Sequence, residues 1–167
     1  MSSGAAPDAA APDAAAESGA HAAAASALTN AHDAVQYMKR KMDDPKECAS
    51  GATHVECAKA LAGAWIAGDA AWACIKAHCD SVVESDPCAR KFRAAVVRSR
   101  KGCKAPNDAL FAELNRLSGA MSSLERRMEV HIRPKSRLGA MCRTVETEAR
   151  ARAAKRAKAE AGAGTQS

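Results

Sequence analysis

Six of the seven cysteines in this 167-residue chain lie in one stretch, between Cys48 and Cys103. Large apolar side chains are scarce, because Leu, Ile, Val and Phe together supply only 20 residues. Most of the hydrophobic fraction is alanine, which favours helices but buries little area, and paired cysteines can crosslink helices that lack a large core. We therefore expect an all-α fold, namely a disulfide-stapled helical hairpin with a long additional helix and flexible termini.

Composition and helix-breaking residues divide the chain into four regions. Prolines and glycines interrupt the alanine runs of residues 1–22, so we expect a disordered acidic tail there. A cysteine-rich helical domain follows at 23–104, then a long amphipathic helix at 105–132. Residues 133–167 form a basic helical arm with a flexible C terminus. The longest apolar stretch, residues 60–68, is far too short to span a bilayer.

The cysteine-rich domain is predicted to contain three helices. The first covers about 23–42 and ends before Pro45, and the second covers about 53–83. Asp86 is placed to cap the third, which has a proline at its first position and ends near Gly102. Helices two and three would form an antiparallel hairpin.

Six cysteines are disulfide candidates: Cys48, Cys57, Cys74, Cys79, Cys88 and Cys103. Cys79 and Cys88 flank the hairpin turn, so a bond between them would close its tip. Cys57 and Cys79 fall within about 40° of each other on one helix face, and Cys88 and Cys103 within about 60° on the other. A bond between Cys57 and Cys103 would then close the far end. Cys74 is an alternative partner for Cys103 or Cys88.

Two other interpretations of the cysteines stay open. Some can be small buried hydrophobic residues, since cysteine is among the most buried residue types. The pairs His54 with Cys57 and Cys74 with His78 have helical spacing and could supply zinc ligands. The sequence contains no Cys-x-x-Cys knuckle, so we predict no metal or cofactor.

The strongest periodic signal lies in the helix after Pro106. Its apolar residues recur every three or four positions, as in a coiled-coil seam. They are Leu110, Leu114, Leu117, Met121, Leu124 and Met128. Such a stripe either packs back on the cysteine hairpin or forms a seam for a helix of a partner protein.

The basic arm carries six Lys or Arg residues between Arg143 and Lys158, together with Glu146, Glu148 and Glu160. Such an arm can contact RNA phosphates or anionic lipid headgroups, although it contains no aromatic residue on which bases could stack. The alternative is an ordinary solvated helix end. Cys142 lies in this region and has no obvious mate.

Targeting and catalytic motifs are absent from the sequence. The first basic residue is Lys39, so the N terminus resembles neither a secretory signal nor a mitochondrial presequence. We find no glycine-rich phosphate loop, nucleophile elbow or His-Glu-x-x-His helix, and predict no catalytic residue. Disulfides without a signal peptide indicate the mitochondrial intermembrane space, where small helical proteins are trapped by oxidation.

A family resemblance covers about residues 31–103. The run Asp44-Pro45-Lys46-Glu47-Cys48, with Gly51, Val55 and Cys57-Ala58 after it, is followed by Trp72-Ala73-Cys74-Ile75. These residues resemble the double coiled-coil-helix-coiled-coil-helix accessory subunit of mitochondrial complex I. Cys88 and Cys103 would be its last two cysteines. Leu28, Met38 and Ala64 stand where that family has further cysteines, and Cys79 is additional.

The resemblance implies a non-catalytic structural accessory subunit of a respiratory assembly, most simply complex I. It would lie on the intermembrane-space face, peripheral to the inner membrane, with protein subunits of that complex as partners. It also implies a bond between Cys74 and Cys88, which competes with the Cys79 to Cys88 bond predicted from the hairpin. The alternative functions are a mitochondrial ribosomal or RNA-associated protein using the basic arm, and a zinc- or thiol-redox-dependent assembly factor.

Overall fold

The computed structural model describes the backbone of residues 12–77 and 108–163. These two ranges contain five helices and no strand, which confirms the all-α prediction. In chain order the helices are α1 (Pro12–Lys41), α2 (Pro45–Cys48), α3 (Gly51–Lys76), α4 (Asp108–His131) and α5 (Lys135–Ala163). The predicted third helix and the hairpin turn before it lie outside the described residues, as do Cys79, Cys88 and Cys103.

The first helix begins at Pro12, well before the predicted boundary near Ala23. Alanine has the highest helix propensity, and a proline in the first helical turn breaks no intrahelical hydrogen bond. A single glycine such as Gly19 costs only about 1 kcal/mol within a helix. The prolines and glycines of the predicted tail therefore do not prevent helix formation from Pro12 onward.

Two caps form the corner between α1 and α3. The Asp44 carboxylate accepts a hydrogen bond from the Lys46 amide at 2.9 Å, with Pro45 directly after it at the start of α2. The Ser50 hydroxyl accepts from the Thr53 amide at 3.4 Å and caps α3. Both side chains satisfy amides that have no partner within their helix. The chain therefore stops and restarts as a helix twice within ten residues.

The third helix is the centre of the bundle, because α1, α4 and α5 all pack against it. Twelve of its residues are buried over an arc of about 220°, and the remaining exposed face includes Glu56 and Lys59. The Lys41 ammonium lies 2.8 Å from the Glu56 carboxylate, and the Cys74 thiol contacts the Ala20 carbonyl. These contacts join opposite ends of α1 and α3, so the two helices are antiparallel.

The fourth helix also packs along α1, in the same chain direction. Arg116, near the start of α4, contacts His32, while Arg127, near its end, donates to the Lys39 carbonyl at 2.9 Å. A break at Pro134 then leads into α5, as the sequence predicts, and α5 packs mainly on α3. No helix in the described ranges is both long and apolar enough to cross a membrane.

Candidate functional site

The six seam residues of α4 are buried within this chain. Phe111 lies beside them, and none is more than 4% exposed. They belong to one core with residues of α1 and α3, including Leu28, Leu61 and Ile75. The chain's own helices thus cover the stripe Leu110, Leu114, Leu117, Met121, Leu124 and Met128. This corrects the prediction that it forms a seam for a partner helix, since no seam side chain is left exposed.

The four cysteines within the described residues form no disulfide. The Cys48 thiol lies over the Pro45 carbonyl at 3.3 Å, inside the α2 turn. The Cys74 thiol faces the Ala20 carbonyl of α1 at 3.9 Å. Cys57 is fully buried in the core. Each of these three predicted crosslink residues therefore has different surroundings. The partners predicted for Cys57 and Cys74 lie outside the described residues.

Cys57 and Cys142 lie near each other between α3 and α5. Both are buried in the core, with 0% and 1% of their surface exposed. Burial raises the pKa of the Cys57 thiol to about 11, and the nearby Glu56 carboxylate and Cys142 act in the same direction. A thiol with a raised pKa and no solvent access is a poor nucleophile. Cys57 and Cys142 therefore serve as buried core residues in this structure.

The proposed zinc pairs are not assembled in the described ranges, where no group of three candidate metal ligands occurs. The His54 ring nitrogen donates to the Cys48 carbonyl at 2.7 Å, an interaction that ties α3 to α2. Because that nitrogen is already used in a structural hydrogen bond, His54 acts here as a satisfied packing residue. His78 lies outside the described residues.

Two arginines of α4 make long-range contacts that the sequence analysis missed. Arg116 Nε donates to Nε2 of the buried His32 ring at 3.2 Å, and Arg127 forms an ion pair with Asp43. Arginine can only donate, so a ring nitrogen of His32 must accept. The two arginines are eleven positions apart and so fall within about 20° on α4. That spacing along the edge of the seam is the signal that could have identified them.

A cluster of charges forms at the corner where α1, α2 and α3 meet. The Lys41 ammonium bonds to Glu56 at 2.8 Å and lies 3.5 Å from Glu47. The hydrogen bond to Lys41 lowers the pKa of the Glu56 carboxyl, and the same bond raises the pKa of Lys41. Glu47 also accepts from the Thr53 hydroxyl. The cluster connects three helices and is a structural element.

The C-terminal half of α5 extends beyond the bundle. Arg150 forms an ion pair with Asp69 of α3, the last ion pair between α5 and another helix in the described ranges. Every side chain from residue 151 to residue 163 is exposed. We call residues 151–163 the exposed arm. It carries Arg152, Lys155, Arg156 and Lys158 against a single carboxylate, Glu160, and all its other side chains are alanine or glycine.

The cations of the exposed arm have few partners. Arg152 lies 3.5 Å from Glu148 one turn before it, in a pair that is exposed on both sides. Within the described ranges no ion pair involves Lys155, Arg156 or Lys158. At about 100° per residue the four cations occupy an arc of about 160°, that is, one half of the helix surface. The arm is thus about 20 Å long, and its cations form a one-sided positive surface over about 9 Å of that length.

Comparison with known proteins gave no assignment. No family model matches the chain, and no curated protein or solved structure is significantly similar to it.

Proposed function

We propose that this chain is a non-catalytic structural subunit of a larger assembly. The bundle would act as a rigid body, and the exposed arm would be its contact with neighbouring components. The observation that carries this proposal is the complete exposure of residues 151–163 on a helix whose first half is packed in the bundle. Thirteen residues of unpacked helix contribute nothing to the core, whereas an external contact would give them a role.

Gradient sedimentation of the tagged full-length chain in a gentle cell extract tests this proposal. We expect the chain to migrate with large particles, and a truncation that ends at Arg150 to migrate as a free protein. The truncation should stay folded, because every described side chain that it removes, from residue 151 to residue 163, is exposed. A matched control is a chain with Gly-Ser residues in place of residues 1–11. Migration of the intact chain as a free monomer would refute the structural role.

A finer proposal places the chain in a mitochondrial respiratory assembly, most simply complex I, on its intermembrane-space face. The resemblance around Cys48, Cys57 and Cys74 and the number of cysteines support this proposal. It requires that the native protein contains disulfides, and therefore that Cys48, Cys57 and Cys74 leave the thiol arrangement described above.

Intact-mass thiol labelling tests the finer proposal. Because Cys57 and Cys142 are buried, a folded chain would protect them even as thiols. The protein from cells should therefore be labelled in denaturant without reductant. Six cysteines that react only after reduction would support the disulfides and the compartment. Seven labelled thiols before reduction would exclude both.

A second candidate function is an RNA-associated structural protein. The observation that favours it is the excess of positive charge on the exposed arm, where four cations stand against one carboxylate. Phosphate contacts need only well-placed cations, and these release counterions on binding.

A further inference from the structure

We propose that the exposed arm binds the phosphate backbone of double-stranded RNA. This inference rests on the proposed structural role and names the partner of the arm. It starts from Lys155, Arg156 and Lys158, which are exposed and have no ion pair within the described ranges. Together with Arg152 they place positive charge on one side of the helix over about 9 Å of its length.

The neutral side chains of the arm exclude a membrane or a protein groove as the main partner. An interfacial helix needs large apolar residues such as Leu, Phe or Trp on the face opposite its cations, and helix-in-groove binding needs apolar anchors at helical spacing. The arm has only alanine and glycine besides its charged residues. Stable membrane binding takes two signals, and a short basic stretch supplies only one. Contacts with phosphates need no apolar anchor, and the cations of the arm can make them directly.

The same composition selects among nucleic acids. Single strands are held mainly by stacking on aromatic rings, and the arm has none. It also has no Asn, Gln, Ser or Thr, so its only possible base contacts in the DNA major groove would be from Arg and Lys to guanine, and we expect contacts to the backbone instead. A-form RNA presents a wide, shallow minor groove bordered by phosphates, which is recognised by shape and backbone. A thin alanine helix with cations on one side fits against such a surface.

The strength of the interaction can be estimated from the number of unpaired cations. Three phosphate contacts, by Lys155, Arg156 and Lys158, predict a slope of log affinity against log salt of about −2.7 for a duplex. Affinity should then fall roughly 40-fold between 50 and 200 mM salt. Arg152 already lies beside Glu148 and is not counted.

Fluorescence anisotropy with a labelled 20-base-pair RNA duplex of mixed sequence tests the inference on the full-length protein. The arm variant is Lys155→Gln, Arg156→Gln and Lys158→Gln, which preserves helix propensity. The control variant, Arg40→Gln, Lys46→Gln and Lys59→Gln, removes the same net charge from exposed positions outside the arm. Circular dichroism at 222 nm verifies that all three proteins keep their helix content.

We expect the arm variant to bind at least about tenfold more weakly at 50 mM salt and to lose most of the salt slope, whereas the control stays within about threefold of the parent protein. Equal weakening of both variants, or none in the arm variant, would overturn the proposal. Tighter binding to a DNA duplex of the same sequence, or to vesicles with 30% anionic lipid at equal phosphate concentration, would overturn the assignment to RNA. Sedimentation of the chain with nuclease-resistant particles would support the structural role but overturn the proposal that the arm binds double-stranded RNA.

Discussion

Replacement of Leu117 by alanine should remove a large part of the stability of this small bundle. Leu117 is fully buried at the middle of α4, in the same core as α1 and α3. Loss of its buried apolar surface costs about 2.5 kcal/mol, and the cavity left behind adds to that figure. Many residues of this core are alanines, which have no rotamers with which to fill a cavity. We therefore expect a total near 4 kcal/mol, in the upper part of the usual range of about 2–5 kcal/mol.

Urea unfolding followed by circular dichroism at 222 nm measures this loss. For a typical slope of about 2 kcal/mol per M, the midpoint should fall by about 2 M. Asn115→Ala is the matched control, since Asn115 is exposed on the same helix and the same residue is introduced. A change of less than about 1 kcal/mol at Leu117 would refute the conclusion that the stripe packs inside the chain. It would instead point to a stripe that is open in the monomer and available to a partner.

Three further outcomes follow from the caps and the thiols. Ser50→Ala should cost about 1 kcal/mol by removing the cap of α3, as measured by urea unfolding, whereas the exposed mid-helix Ser26→Ala should be neutral or slightly stabilising. Iodoacetamide at pH 8 should modify the half-buried Cys48 before the buried Cys57, with peptide mass spectrometry as the readout; faster reaction at Cys57 would contradict its burial. The raised pKa of Cys57 predicts a contribution to stability that is fully present below pH 9 and is lost as pH rises toward 11, because only the unfolded thiol ionises in that window. Parallel pH profiles for the parent chain and Cys57→Ala would exclude that contribution.

The sequence was informative where a pattern is local. The stripe from Leu110 to Met128 predicted a helix at 105–132, and the structure has α4 at Asp108–His131. The break near Pro45 is likewise a local signal, since the preceding Asp44 and the proline together form a start site for a new helix turn. The extent of α4 and the break before α2 could therefore be predicted from residues only a few positions apart.

Features that depend on the three-dimensional arrangement were not predictable in the same way. The destination of the α4 stripe was left open, because the same spacing serves an internal core and an external seam. Arg116 contacts His32, which is 84 positions away in the sequence, and Arg150 contacts Asp69, which is 81 positions away. The early start of α1 was not predicted, because proline and glycine usually interrupt helices. The high helix propensity of the surrounding alanines outweighs that effect here.

The exposed arm was anticipated as basic but its boundary was not. From the sequence, the alanines of α5 look alike along the whole helix. The structure supplies the boundary, because Arg150 pairs with Asp69 of α3 and every described side chain after it is exposed. That boundary decides which cations are available to a partner, and it could not be read from composition.

Alanine has two unrelated roles in this chain. In α3, Ala64 and Ala71 are fully buried, so the neighbouring helices contact that surface directly and a larger side chain would have to push them apart. In the exposed arm, Ala151 and Ala154 are exposed and contribute helix propensity rather than buried surface. In related sequences, the alanines of α3 should therefore stay small, while those of the arm can drift to other helix formers such as Glu, Gln or Lys.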